Sequence, residues 1–344
     1  MKKVMVAMSG GVDSTVAAIL LQNQGYEVIG ATLDLLSGDK KNTALSDAVK
    51  MAAKLGIPHY VFDLSDMFKE EVISYFVDSY MNGKTPNPCI VCNSKIKFGK
   101  LLELAKELEC DYLATGHYAL IEEKDQRFML KKGLDSKKDQ SYVLYTLTQQ
   151  QLSHILFPLG SMSKNEIREL AGNAKLDVAD KGDSQDICFI PDGDYASFVR
   201  NHSTFGFSDG DFVDSSNTPL GRHHGIINYT IGQRKGLGVT FGEPRYVTEI
   251  NAENNTVTLG RNDELFTNCV TADNVNLISF DALDKPIRIK ARTRYNQKES
   301  VGTLSLSANG IATVIFDSPV RAVAPGQAVV FYDGEYVVGG GTII

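Results

Sequence analysis

Val4-Met5-Val6-Ala7-Met8-Ser9-Gly10-Gly11-Val12-Asp13-Ser14-Thr15-Val16-Ala17-Ala18 decides the fold of the first half of the chain. A short apolar run meets a glycine pair and opens into the apolar-periodic TVAAILLQNQG, where Gly25 stands as a helix C-cap. The order is strand, loop, helix. Glycines let a backbone approach phosphate closely, and the helix start offers unpaired N–H groups and the positive end of its dipole. Ser9 and Ser14 add hydroxyl donors, and Asp13 is suited to hold Mg²⁺. The loop has no lysine, so it is not G-x-x-x-x-G-K-[S/T], and it is not G-x-G-x-x-G. The plain alternative is a glycine turn capped by Asp13 or Ser14.

Outward from this loop, strand and helix patterns alternate. Residues 27–33 read as a strand, 43–56 as a helix, 58–64 as a strand, 65–82 and 95–109 as helices and 111–115 as a strand. Single helices between strands imply right-handed crossovers and an α/β fold with a parallel sheet. A hairpin is expected near 118–131, and 139–200 reads mostly helical. Near residue 203 the texture changes to short β-rich runs punctuated by Gly, Asn, Asp and Thr, the pattern of small barrels or sandwiches. The division is 1–202, 203–262 and 263–344.

Composition narrows the class. The 344 residues are 43% apolar and 22% charged, which excludes disordered and collagen-like chains. No apolar run approaches the ~18–20 residues that span a bilayer, and the N-terminus MKKVMVAMSGG reaches glycine too early for a signal peptide, so a cytoplasmic chain is expected. The net charge of −7 leaves room for local basic patches. Five cysteines make an odd count, which points away from a disulfide framework and towards metal, redox or nucleophile use.

Thr85-Pro86-Asn87-Pro88-Cys89-Ile90-Val91-Cys92-Asn93 carries two prolines, hence a rigid extended loop running into a helix that starts near Ser94. Cys92 then lies by a helix N-terminus with Lys95 and Lys97 close behind, which favours its thiolate. Cys188 stands in Asp183-Ser184-Gln185-Asp186-Ile187-Cys188-Phe189-Ile190. Three readings compete. Cys92 and Cys188 form a persulfide-handling pair that closes to a disulfide. Cys89, Cys92 and Cys188 bind a [4Fe–4S] cluster with one open iron, or zinc with one open position. The third is a structural zinc site, for which a fourth ligand is missing from the spacing. Cys110 and Cys269 read as buried bystanders.

SGGVDS resembles the pyrophosphate (PP) loop of the N-type ATP pyrophosphatases, which adenylate an oxygen of their acceptor. Together with NPCIVCN, ATGHYA (114–119), KKDQSYVLY (137–145), DICFIP and GRHHGIINYTIGQRKGLG (221–238), the chain resembles the tRNA-specific 2-thiouridylases of the MnmA/TrmU family, with matching motifs from residue 7 to residue 327. The resemblance implies a parallel-sheet adenine nucleotide alpha hydrolase-like domain and two small β-rich domains, the last a β-barrel. It implies ATP-dependent 2-thiolation of the wobble uridine of tRNA: adenylation of the C2 oxygen, then displacement of AMP by sulfur from a persulfide on Cys188, with Cys92 as partner nucleophile. ATP with Mg²⁺, and a sulfur donor such as a cysteine desulfurase or sulfur-relay protein, follow.

By position, Ala7, Met8, Ser9, Gly10, Gly11, Val12, Asp13, Ser14, Leu33 and Gly116 would line the ATP site. Asn87, Pro88 and Cys89 would meet the target base. His117, Lys138, Asp139, Gln140, Arg294, Tyr295 and Gln327 would contact tRNA. Many members carry Asp where this chain has Cys89, and the third soft ligand makes the cluster a live alternative to the persulfide. Rival activities are another enzyme of the loop class, such as a lysidine or amidotransfer-type synthetase, and a non-catalytic tRNA-binding protein.

The last domain adds a basic ribbon. Arg288, Lys290, Arg292 and Arg294 recur at every second position with no acid between residues 285 and 298. On a strand that places four cations on one face, suited to a phosphate backbone. His223 and His224 have no evident third ligand partner and read as part of a glycine-rich β element rather than a zinc site.

Overall fold

The computed structural model describes residues 1–36, 43–174, 187–203 and 206–344. Residues 183–186, the first half of the Cys188 motif, lie outside them. Strands β1 (Lys3–Ala7), β2 (Glu27–Asp34), β3 (His59–Asp63) and β4 (Tyr112–Ala114), with the short strand Ile155–Leu156, form a parallel sheet in the order β3-β2-β1-β4-Ile155–Leu156. Val4, Met5 and Val6 of β1 are fully buried, as a central strand covered by helices on both faces requires. The fifth strand, two residues long, falls inside the stretch that reads as helical.

Strand order reverses at β1, whose neighbours β2 and β4 lie on opposite sides. Ligands of open α/β sheets bind outside the carboxyl ends of strands at such a switch point. The loop after β1 leads into helix α1 (Val12–Asn23), and Thr115-Gly116-His117 follows β4 across the same crevice.

The second sheet has four strands, in the order Tyr246–Asn251, Thr256–Gly260, Gly210–Val213 and Pro219–His223. The last domain is an antiparallel barrel of six strands closed by Phe266–Leu277 pairing with Tyr336–Ile343. The expected hairpin is Ala119–Lys124 with Arg127–Lys132, and it joins the barrel sheet through Lys131 and Tyr336. The first and last domains therefore share one hydrogen-bonded sheet. Tyr142, buried in the joint core, donates its hydroxyl to Ala328 O at 2.8 Å.

The arginine ribbon does not form as a free cationic face. The strand Ile287–Arg292 alternates as expected, with Ile289 and Ala291 inward. Acids from elsewhere meet its cations: Arg288 forks onto Asp317, and Arg292 reaches Asp139 and Glu299. Arg294 lies past the strand and donates to Ile231 O at 2.8 Å. Reading 285–298 alone misses these partners because they come from the strand Ala312–Arg321, which lies beyond Ser300–Leu306 in the barrel sheet, from the first domain and from the segment just after the ribbon.

Candidate active site

Gly10 takes φ +70°, and a Cβ there would stand 2.3 Å from Ala44 O, so only glycine fits the turn. Gly11 is the N-cap of α1 and has no side-chain cap, which leaves the first-turn N–H groups of the helix for a ligand. The Ser14 hydroxyl accepts from Ser9 N at 3.1 Å, and Thr15 donates to Gly11 O at 2.9 Å, bracing the loop from within. Gly116 packs onto the loop: a Cβ there would lie 3.0 Å from Ser14 N. Leu33, half-buried on β2, flanks the same end of the sheet. Ala7 to Ser14, Leu33 and Gly116 thus come together at the switch point.

Asp13, expected to hold Mg²⁺, is already engaged. Lys164 Nζ bonds both of its carboxylate oxygens, at 2.8 and 2.9 Å, and Tyr118 donates to Oδ1 at 2.8 Å. These residues do not offer Mg²⁺ a ready carboxylate. Lys164 was not singled out in the sequence, although Ser163-Lys164-Asn165-Glu166 is a capping-box signature and was there to be read.

The cysteine segment departs from expectation in a way that changes its chemistry. Asn87 is extended and caps a helix that begins at Pro88, not near Ser94; its side chain accepts from Cys89 N at 3.2 Å. Asn-Pro is a cap followed by proline at the first helical position, where the missing N–H costs nothing. The helix widens over Cys92–Lys100, where Leu101 N reaches Ile96 O, five residues back. Cys92 therefore sits a turn inside the helix, 8% exposed, and burial pushes its thiol up to about 11 although Lys97 opposes this. The expected thiolate-favouring position belongs to Cys89, exposed in the first turn, though burial of its thiol raises its pKa as well.

Cys188 is exposed beside this helix. Its neighbour Phe189 is anchored edge-on to Phe68 and Phe76, with centroids 5.6 and 5.5 Å away. Burial raises the thiol pKa of Cys188, the charge of Cys89 adds to this, and Lys97 opposes it there as it does at Cys89 and Cys92. All three are free thiols. Among the described residues no group of three or more His, Cys, Asp or Glu is gathered to hold a metal ion, so the three cysteines do not fit a cluster ligand set in this arrangement. Cys110 is buried, whereas Cys269 is exposed on the barrel. His223 is buried, accepting Gly225 N at Nδ1, while His224 turns outward to Asp209, so the two do not form a metal pair.

His117 links cysteines to loop. It follows Gly116, packs its ring 5.6 Å from Phe98 of the cysteine helix, and is held well below the ordinary histidine range by burial and Lys97. Asp139 is buried and accepts from Gly133 N, Ser141 N, Ser141 Oγ and Arg292, which ties the domains together. Lys138 and Gln140 are half-buried, and Gln140 Oε1 accepts from Tyr118 N. Tyr295 is partly exposed, its hydroxyl donating to Asp139 O. Gln327, on the barrel, donates to the carbonyls of Thr85 and Pro86.

A parallel-sheet nucleotide domain with a glycine phosphate loop at the switch point, and free thiols beside it, defines a nucleotide-using enzyme with sulfur chemistry. Family models match nearly all of the sequence in three pieces: the tRNA methyl transferase HUP domain at residues 2–192, the tRNA methyl transferase PRC-barrel domain at 196–261 and the aminomethyltransferase beta-barrel domain at 267–343. The tRNA-specific 2-thiouridylase MnmA of Clostridioides difficile is 49% identical over 99% of this chain and 98% of its own length. MnmA 1 of Thermoanaerobacter sp. (strain X514) is 51% identical over 99% of this chain and 97% of its own. The chain belongs to the MnmA family of tRNA-specific 2-thiouridylases. Among solved structures, the U34-tRNA thiolase NcsA from Methanococcus maripaludis aligns over 58% of this chain and 70% of its own, with TM-score 0.37 and 20% identity.

Proposed function

We infer that this chain uses ATP to replace the C2 oxygen of a tRNA wobble uridine by sulfur, with Cys188 as sulfur carrier and Cys92 as its resolving partner. One observation carries the reading: Gly116 touches the phosphate loop, and His117 beside it packs on the helix that holds Cys92, so nucleotide and sulfur chemistry adjoin.

A pyrimidine carbonyl oxygen is a poor leaving group; attack of that oxygen on the α-phosphorus of ATP expels pyrophosphate and makes it part of AMP. Loop N–H groups and the α1 dipole stabilise the departing charge. The terminal sulfur of a Cys188 persulfide then attacks C2 and AMP leaves with its electron pair. Cys92, which rests as the thiol, gives up its proton as it attacks Cys188 Sγ. The S–S bond to the substrate breaks, thiouridine leaves as the anion and takes a proton, and a Cys92–Cys188 disulfide forms. An external thiol reductant reopens it, and a sulfur-donor protein reloads Cys188. No step is assigned to Mg²⁺ or to an iron–sulfur cluster.

Asn87, Pro88 and Cys89, at the exposed start of the cysteine helix, are proposed to meet the base. The three-module division at 203 and 263 and a cytoplasmic setting, where tRNA and ATP are at hand, go with this reading; among the described residues no helix is long and apolar enough to cross a membrane. A loop-class rival such as a lysidine synthetase leaves the cysteines unused, and a non-catalytic tRNA binder releases no AMP. Conversion of Cys92 and Cys188 to Ser tests both: the present reading expects thiolation to vanish while tRNA binding persists, and full activity of the double variant on any acceptor would overturn it.

A further inference from the structure

The phosphate loop lacks a cation of its own: from Val4 to Asp39 the sequence holds neither Lys nor Arg. Yet it must bind a polyphosphate and release pyrophosphate, and low-dielectric phosphate sites elsewhere rely on a fixed positive side chain in addition to backbone N–H groups. The fold supplies one from 151 residues away. Ser163 and Glu166 form a reciprocal capping box, Ser163 N donating to Glu166 Oε2 at 2.7 Å and Glu166 N to Ser163 Oγ at 3.3 Å. That box makes Lys164 the first residue of the helix Lys164–Asn173, and Lys164 N donates to Asp135 Oδ2 at 3.2 Å.

From this fixed start the side chain, 10% exposed, runs inward to Asp13 in the first turn of α1. Tyr118 shares the carboxylate and lies under the ammonium, with its ring centroid 5.8 Å away. A lysine is seldom buried this far without a role for its charge. Asp13 already has a favourable place at a helix N-terminus and does not need the ammonium to be stable there. The ammonium lies within one hydrogen-bond length of the loop that the nucleotide must occupy.

We propose that Lys164 is the phosphate-binding cation of this ATP site, held at rest by Asp13 and Tyr118 and shared with the β- and γ-phosphates when nucleotide enters. It serves adenylation and plays no part in sulfur transfer. The inference rests on the ATP-using reading above, and the two fail separately: wild-type AMP formation tests that reading, whereas the comparison among variants tests this one.

The experiment measures binding of inorganic pyrophosphate to the full chain by calorimetry, and the KM for ATP in tRNA-dependent AMP formation, for wild type, Lys164→Gln, Lys164→Arg and Ala171→Gly. Lys164→Gln is expected to weaken pyrophosphate binding and raise the KM by about tenfold or more, with tRNA affinity unchanged. Lys164→Arg, which keeps the charge, should restore most of the binding. Ala171→Gly loosens the same helix away from the capping box and the ammonium, so it should lower the melting temperature and leave pyrophosphate binding at the wild-type value. Lys164→Met, closer in volume, replaces Lys164→Gln if that variant fails to fold. Wild-type pyrophosphate affinity in a folded Lys164→Gln or Lys164→Met protein would overturn the proposal, as would an equal loss in Ala171→Gly.

Discussion

Gln327 of the barrel donates its side-chain amide to Thr85 O at 3.0 Å and to Pro86 O at 3.3 Å, although 242 residues separate Gln327 from Thr85. Thr85 N returns a bond to Pro325 O, and Gly326 packs against Lys84 and Thr85 with φ +88°. The last domain thus grips the loop that delivers Asn87, Pro88 and Cys89. Proline at 86 and 88 removes two donors from that loop, so its carbonyls depend on partners outside it.

Gln327→Ala should lower kcat for thiolation by roughly fivefold to thirtyfold, the value of one or two hydrogen bonds at about 1 kcal/mol each, with a smaller change in KM for tRNA. Steady-state kinetics with purified tRNA separates the two. A rise in KM alone would make Gln327 a tRNA contact and not a clamp.

Arg292 is the hub of an ion network with Asp139 and Glu299, and Lys132 also reaches Glu299, at 2.6 Å. Although burial works the other way, Lys132 and Arg292 hold the Glu299 carboxyl below its usual range. Arg292→Ala leaves Asp139 buried without its cation, so a loss of about 3 kcal/mol and a clear fall in melting temperature are expected. Lys290, exposed on the same strand, should change the melting temperature little on conversion to Ala. Its effect belongs in the salt dependence of tRNA binding, as a slope shallower by about one. A melting temperature unchanged in Arg292→Ala would contradict the domain lock.

Burial pushes Cys92 up to about 11, so at neutral pH it rests as the thiol. The folded-state value lies above that of a free thiol, about 8.5. The fold therefore favours the protonated form, and this contribution to stability is complete below about 8.5 and lost as pH rises through about 11. Alkylation of Cys92, followed by peptide mass spectrometry, should still be accelerating between pH 9 and pH 10, about where an ordinary thiol levels off. A plateau near neutrality would place Cys92 among activated thiolates.

The pattern of the sequence was readable where contacts are local. The strand–loop–helix of residues 4–23 and the helix over 65–81 stand where periodicity and glycine place them. Pairings distant in sequence were not readable. Barrel closure joins Ala272 to Ile343, and the acids that neutralise Arg288 and Arg292 include Asp317 on another strand and Asp139 in another domain. The cysteine helix starts earlier than the two prolines suggest because Asn87-Pro88 is a cap followed by proline in the first turn, which begins a helix. Lys164 escaped notice because nothing local ties it to Asp13.

The persulfide route and the cluster route differ in one elemental analysis. If sulfur travels as the Cys188 persulfide, protein purified without oxygen should contain no stoichiometric iron or acid-labile sulfide and still thiolate tRNA, in keeping with the absence of a gathered ligand group among the described residues. Stoichiometric iron, lost together with activity on chelation, would replace the persulfide by cluster-borne sulfide.

The central claim is that ATP is consumed to exchange a uridine oxygen for sulfur. Reduced protein, ATP, a persulfide-generating donor and unmodified tRNA should yield AMP, pyrophosphate and 2-thiouridine in equal amounts, measured by nucleoside mass spectrometry alongside nucleotide chromatography. AMP without thiolated nucleoside under those conditions, or thiolation that proceeds without ATP, would contradict the account.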